Sequence, residues 1–132
     1  MEEKVARLIE CERIVRQVQA ERLRLIAELN IDEYAARDIA MALQLSQSNG
    51  EYLVKWASRV ATVFPEVLDA MEAGVISEWS AHGLVDPTEN YSDEVARKAV
   101  ARTLESAAGR CCQQLRRSVQ GRLQRADPVG HA

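Results

Sequence analysis

The chain has 132 residues and a formal charge of −3, from 17 Lys and Arg against 20 Asp and Glu, which is one domain's worth of polypeptide. With 47% hydrophobic and 28% charged residues it has ordinary globular proportions, and this excludes disordered, collagen-like and disulfide-scaffold classes. Aromatics are only 5%, and three Pro and six Gly interrupt a chain rich in Ala, Leu, Glu, Arg and Gln. These are helix formers, and the expectation is an all-α fold of about seven helices.

The net charge hides a split. Residues 95–125 carry eight bases (Arg97, Lys98, Arg102, Arg110, Arg116, Arg117, Arg122 and Arg125) against Glu105, for a net charge of +7. Residues 1–94 hold nine bases and 18 acids, net −9, and Asp127 adds the last −1. The three cysteines, Cys11, Cys111 and Cys112, form no CxxC pattern and are expected to be reduced thiols. His82 and His131 do not sit near a cysteine pair in sequence, so no metal and no cofactor is expected. No apolar run approaches the roughly 18–20 residues of a membrane span and no secretory leader opens the chain; the expectation is a cytoplasmic protein without a membrane partner.

Residues 3–29 contain no Gly or Pro, and Leu8, Cys11, Val15, Val18, Leu25 and Leu29 fall at 3-4 heptad spacing, broken once by Arg22. This predicts one long amphipathic helix over residues 1–31, about 40 Å long. Its stripe either packs within the chain or pairs with a second copy, and in the latter case those six residues are the homodimer contact. Asp32 is the expected N-cap of a second helix, Glu33 to Gln44, with Ala36, Ile39, Ala40 and Leu43 inward. Ser46 caps a third helix with Leu53, Trp56, Ala57, Val60 and Phe64 inward. Pro65 opens a fourth, carrying Val67, Leu68 and Met71 and ended by Gly74.

Ser77 caps a short fifth helix with Trp79 and Leu84 inward, and His82 is expected to be a partly buried packing residue. Asp86-Pro87-Thr88-Glu89-Asn90 reads as the clearest loop. Ser92 opens a sixth helix with Val95, Ala99, Val100, Thr103 and Leu104 inward. Gly109 separates it from a seventh, Arg110 to about Arg125. Residues 32–126 thus form the helical domain and 127–132 a tail.

The most specific local pattern is Ile39-Ala40-x-x-Leu43-x-Leu45-Ser46 followed by a helix, the grammar of a helix-turn-helix at 33–64. If the third helix reads DNA, Gln47, Ser48 and Asn49 are the candidates for base edges, and Lys55 and Arg59 for phosphates. Against this, residues 33–64 are electrically neutral, whereas DNA binding rests on clustered cations.

Three stretches in this order are similar to the 13E12-repeat family of actinobacteria, domain of unknown function 222. They are Asp38-Ile39-Ala40-Met41-Ala42-Leu43-Gln44-Leu45-Ser46, then Ala57-Ser58-Arg59-Val60 leading to Phe64-Pro65, then Leu68 through Gly74 to Val75-Ile76-Ser77. Tyr91-Ser92-Asp93-Glu94-Val95-Ala96 resembles the family's entry into its next helix. Gln114-Leu115-Arg116-Arg117-Ser118-Val119 with Arg125-Ala126-Asp127-Pro128 resembles its closing helix. The resemblance covers roughly residues 28–130. It implies a helical domain that in many members precedes an HNH endonuclease in mobile elements. An HNH centre needs two suitably placed His in one compact unit; with only His82 and His131, that module is expected to be absent, which makes the chain a shortened member or a fragment.

The chain departs from the family at Gly50, where members usually have Ala, and near Tyr52 and Leu53, where they carry Arg. Gly inside a helix costs on the order of 1 kcal/mol, so the third helix is expected to begin late or fray. The last helix is the stronger electrostatic candidate: Arg110, Arg116, Arg117 and Arg122 fan out opposite Leu115, Val119 and Leu123. Those arginines either hold phosphate or fold back on the acidic first helix. The combined expectation is a non-catalytic module that binds double-stranded DNA, with a helical oligomerisation domain as the rival reading.

Overall fold

A computed structural model describes residues 1–127. Among them the elements are α1 (Glu2–Leu29), α2 (Ala35–Leu43), α3 (Gln47–Val63), α4 (Pro65–Glu72), α5 (Glu78–Val85), a 3-10 turn (Asp86–Thr88), α6 (Asp93–Leu104) and α7 (Cys112–Ala126), with no strand. The fold is all-α. The expected tail, with His131, lies outside the described residues save for Asp127.

Local chemistry sets most helix starts. Ser46, Ser77 and Ser92 each accept a hydrogen bond from the backbone N–H three residues on, satisfying one of the amides that a helix start leaves without a partner. Pro65 occupies the first position of α4, and Gly74 follows its C-cap with φ +81°. Asp32 does not cap α2. Its Oδ1 accepts from Tyr34 N at 2.9 Å in a local turn, and the helix begins only at Ala35.

The helices form two groups. In the first, α2 packs on α3, and α1 lies across α3 and α4; in the second, α7 packs on α5 and α6. Phe64, Leu68, Met71, Ile76, Leu84 and Leu115 are among the largest fully buried side chains, and they join both groups into one core. Only Ala20, Leu23 and Ile26 of α1 are buried, so the core rests on the C-terminal half of that helix. Residues 1–15 are exposed throughout.

Two inward assignments fail, and one open alternative is decided. Leu43 is exposed at the end of α2, where the left-handed Gln44 turns the chain away and Ala35 takes the inward place. Trp79 is 74% exposed, because α5 is anchored through Ala81, Leu84 and Val85 on other faces. The apolar stripe of α1, from Leu8 to Leu29, is not the face that meets the core; Leu8, Val15, Val18, Leu25 and Leu29 remain 46–67% exposed.

Gly50 corrects the fraying expectation. α3 runs unbroken from Gln47, and Gly50 is buried against α2: a Cβ there would stand 2.6 Å from Ala40 Cβ and 2.8 Å from the Ala36 carbonyl oxygen. The missing side chain is what lets the two helices touch. Gly83 serves the same purpose between α5 and α7, its Cβ position being 2.8 Å from the Cys112 carbonyl oxygen. Replacing Gly50 with Ala therefore loses more through overpacking than helix propensity returns. The expected outcome in urea denaturation is a net destabilisation of about 1–2 kcal/mol, whereas a more stable Gly50→Ala protein would show that α2 and α3 can separate without cost.

Candidate functional site

Three surfaces hold the residues singled out by the sequence, and the fold keeps them apart. The first is the start of α3. Gln47, Ser48 and Asn49 are exposed on its first turn. Gln47 Nε2 donates to Glu51 Oε1 at 3.2 Å, and the Ser48 hydroxyl lies 3.4 Å from that of Ser46. Cations are scarce nearby: Arg37 lies 3.7 Å from Asp38 and stacks over Tyr34.

The second surface is a cleft of about 600 Å³ between α3 and the 3-10 turn, lined by Tyr52, Lys55, Trp56, Arg59, Asp86 and Glu89 among others. Here Arg59 is already engaged: its guanidinium donates to Thr88 Oγ1 at 2.9 Å and to the Thr88 carbonyl at 3.4 Å, and it lies over the Phe64 ring. Lys55 stays exposed. Trp56, buried at 7% exposure, donates from Nε1 to Asp86 Oδ1 at 2.9 Å and stacks on His82 with ring centres 3.8 Å apart. His82 Nδ1 is 3.2 Å from the other Asp86 oxygen.

Asp86 thus takes two donors from two helices, so the stretch read as a loop is a structural joint. The signal was present in the sequence, since His82 and Asp86 are four apart and share one helical face; Pro87 obscured it by suggesting that the helix had already ended. The His82–Asp86 pair has the residue types of acid–base chemistry. Its carboxylate, however, also binds the buried indole of Trp56, and His82 is covered by that ring, which gives both groups a packing role. Among the described residues no group of three or more His, Cys, Asp or Glu could hold a metal, and no helix is long and apolar enough to cross a membrane.

The third surface is α7. Leu115, Val119 and Leu123 are buried as expected, and Arg116, Arg117 and Arg125 are exposed with no ion pair to any described residue. α7 contains no acid. Gln113, Gln120 and Gln124 share the exposed face with Arg117, at the 4-3-4 spacing of one helical side; sequence reasoning that weighed charge alone passed over them. One of the named arginines is used internally and a second is partly covered. Arg110 donates to the Gln114 carbonyl at 3.2 Å and to the Ser118 hydroxyl, and Arg122 is half-buried. Cys111 opens the helix, its backbone N–H donating to Gln114 Oε1 at 2.8 Å; the three cysteines are free thiols.

The fold-back of α7 onto the acidic first helix does not occur. Instead α1 turns arginines toward acids of the body: Arg24 pairs with Asp69 at 2.9 Å and Glu72 at 2.7 Å on α4, and Arg22 lies 3.9 Å from Glu78. Glu10 and Glu12 of α1 pair with Arg13 and Arg16 of the same helix. Glu10, Glu12, Asp69 and Glu72 are therefore matched locally, and the exposed α7 arginines pair with none of them.

A family model described as a domain of unknown function, DUF222, matches residues 5–131. The chain belongs to the DUF222 family. That match begins inside α1 and so includes the long helix in the DUF222 domain. No curated protein and no solved structure matches the chain.

Two measurements check this placement. Trp56→Ala should cost about 3–5 kcal/mol of unfolding free energy, as buried aromatic truncations do, while Trp79→Ala should stay within about 0.5 kcal/mol; equal losses would contradict the exposure of Trp79. In spectrophotometric titration the Tyr52 phenol should ionise above the ordinary tyrosine range, because partial burial and then the Asp86 and Glu89 carboxylates disfavour the phenolate. Its contribution to stability is present at neutral pH and is lost as pH rises through that elevated value. Tyr52→Phe should remove the high-pH component of the titration.

Proposed function

We propose that this DUF222 chain is a non-catalytic module that binds double-stranded DNA, gripping phosphates with the exposed arginines of α7. The observation that carries the reading is the outer face of α7: Arg116, Arg117 and Arg125 stand in solvent on a helix without acids. Unpaired clustered cations release counterions when they meet a phosphate backbone, which is the main source of non-specific affinity. The exposed Gln113, Gln120 and Gln124 belong to a residue type that bonds adenine edges, and Arg to the type that bonds guanine. This makes α7 better equipped for duplex than the start of α3, where Gln47, Ser48 and Asn49 would add contacts without charge.

Arg59, Arg110 and Arg122 drop out of the set of primary phosphate ligands, since their guanidinium groups are held or half-covered inside the fold. Lys55 is retained as a peripheral contact. In this reading the domain is a DNA-targeting accessory of the kind that the family resemblance associates with HNH endonucleases, and chemistry on DNA would belong to a separate module.

A second reading, association with another polypeptide through α1, is favoured by a different observation, the exposed apolar stripe from Leu8 to Leu29. The two are compatible, because the stripe and the α7 face lie on different helices of different groups.

Titration of a fluorescent random duplex at two salt concentrations tests the DNA reading. Native protein should bind at about 50 mM salt and weaken steeply toward 200 mM. Arg116→Ala with Arg117→Ala should lower the slope of log affinity against log salt by about 2, and the corresponding Glu pair should abolish binding. Absence of binding by the native protein at low salt overturns the proposal.

A further inference from the structure

The exposed stripe on α1 is periodic in a way that names its occupant. Its positions alternate by three and four residues over three heptads, the repeat that lets one helix seat its knobs in the holes of another with the same repeat. At 3.6 residues per turn the stripe lies about a third of a turn around the helix from Ala20, Leu23 and Ile26, the buried face. A partner can therefore cover it without touching the core. We propose that this partner is a second copy of the same chain, its α1 running antiparallel in an isologous dimer.

Charge decides the direction. A parallel, in-register pair sets Arg22 against the partner's Arg22, two like charges in the seam. The antiparallel pair sets Leu8 against the partner's Leu25 and Val15 against the partner's Val18, each twice by symmetry, while Arg22 meets the small side chain of the partner's Cys11. Arg22 keeps its own counterion in Glu78, 3.9 Å away. On the flank of the seam Arg7 falls beside the partner's Glu28, an opposite-charge pair made at both ends, and both residues are exposed in the single chain.

The length of α1 agrees with this arrangement. The first fifteen residues are all exposed, and although Leu8 borders a cleft with Ala73 and Gly74, a monomer leaves it 67% exposed. Antiparallel pairing lays that segment along the C-terminal half of the partner's helix, where Leu25 and Leu29 are 50% and 57% exposed. Each copy then covers the part of the other that its own body leaves exposed.

Light scattering with cysteine cross-linking tests this. The native chain should run as a dimer at micromolar concentration. Val15→Glu with Val18→Glu should give a monomer of unchanged helical content and melting temperature, since both side chains are about half exposed in the single chain. In a background with all three cysteines changed to Ser, a mixture of Val15→Cys and Val18→Cys proteins should form a mixed disulfide dimer, and neither protein should cross-link alone. Should that background fail to fold, mild oxidation of the native chain provides the same test: no Cys11–Cys11 link is expected. The proposal is overturned by a monomer at every concentration, by a dimer that survives the double Glu variant, or by self-linking of Val15→Cys, Val18→Cys or native Cys11, which marks a parallel pair. None of these readouts involves DNA, so failure here leaves the DNA-binding proposal to its own test.

Discussion

The joint made by Asp86 is the contact on which the arrangement of the molecule turns. One carboxylate receives the indole N–H of Trp56 from α3 and faces the imidazole of His82 on α5, and Arg59 of the same α3 face reaches Thr88 one turn on. A buried polar group is costly unless it is satisfied, so the indole fixes where the 3-10 turn must sit. Arg97 adds a further tie, donating to the Val63 carbonyl at 3.1 Å. These bonds are directional, whereas the surrounding Phe64, Leu68 and Val85 contacts are not, and they set the register in which α5–α7 dock on α1–α4.

That docking determines which surfaces are free. With α7 held on α5 and α6, its arginines face away from the acidic first helix. With α1 held by α3 and α4 through its C-terminal half, the heptad stripe and the N-terminal arm are left open. A molecule whose total charge is small thus presents one face that suits a polyanion and another that suits an apolar helix. The separation allows a dimer to carry two basic faces, with each face owned by one chain.

Glycine decides how closely the elements within each group approach. Gly50 and Gly83 are both buried, and each stands where a methyl group would meet backbone atoms of the neighbouring helix. The same residue that weakens an isolated helix thereby tightens a helix pair, a case of tertiary contact outweighing local propensity. This is why the expectation of a frayed α3 failed although the propensity argument behind it is sound.

The sequence by itself determined the elements. Serine caps, Pro65, Gly74 and the 3.6-residue spacing of apolar side chains act within a few residues of chain, so helix count, most boundaries and the buried faces of α3, α4, α6 and α7 were legible, and the order of motifs was enough to indicate the family. Only the tertiary structure decided which of two amphipathic faces on α1 meets the core, that Trp79 is outside while Trp56 is inside, that Asp86 is a joint and not part of a loop, and which arginines are spent on internal bonds. Periodicity states that a face is apolar but not what lies opposite it, and charge states that a side chain needs a partner but not whether the fold brings one within reach. Those answers depend on contacts between residues far apart in the chain, such as Arg24 with Glu72 or Trp56 with Asp86, which no local pattern encodes.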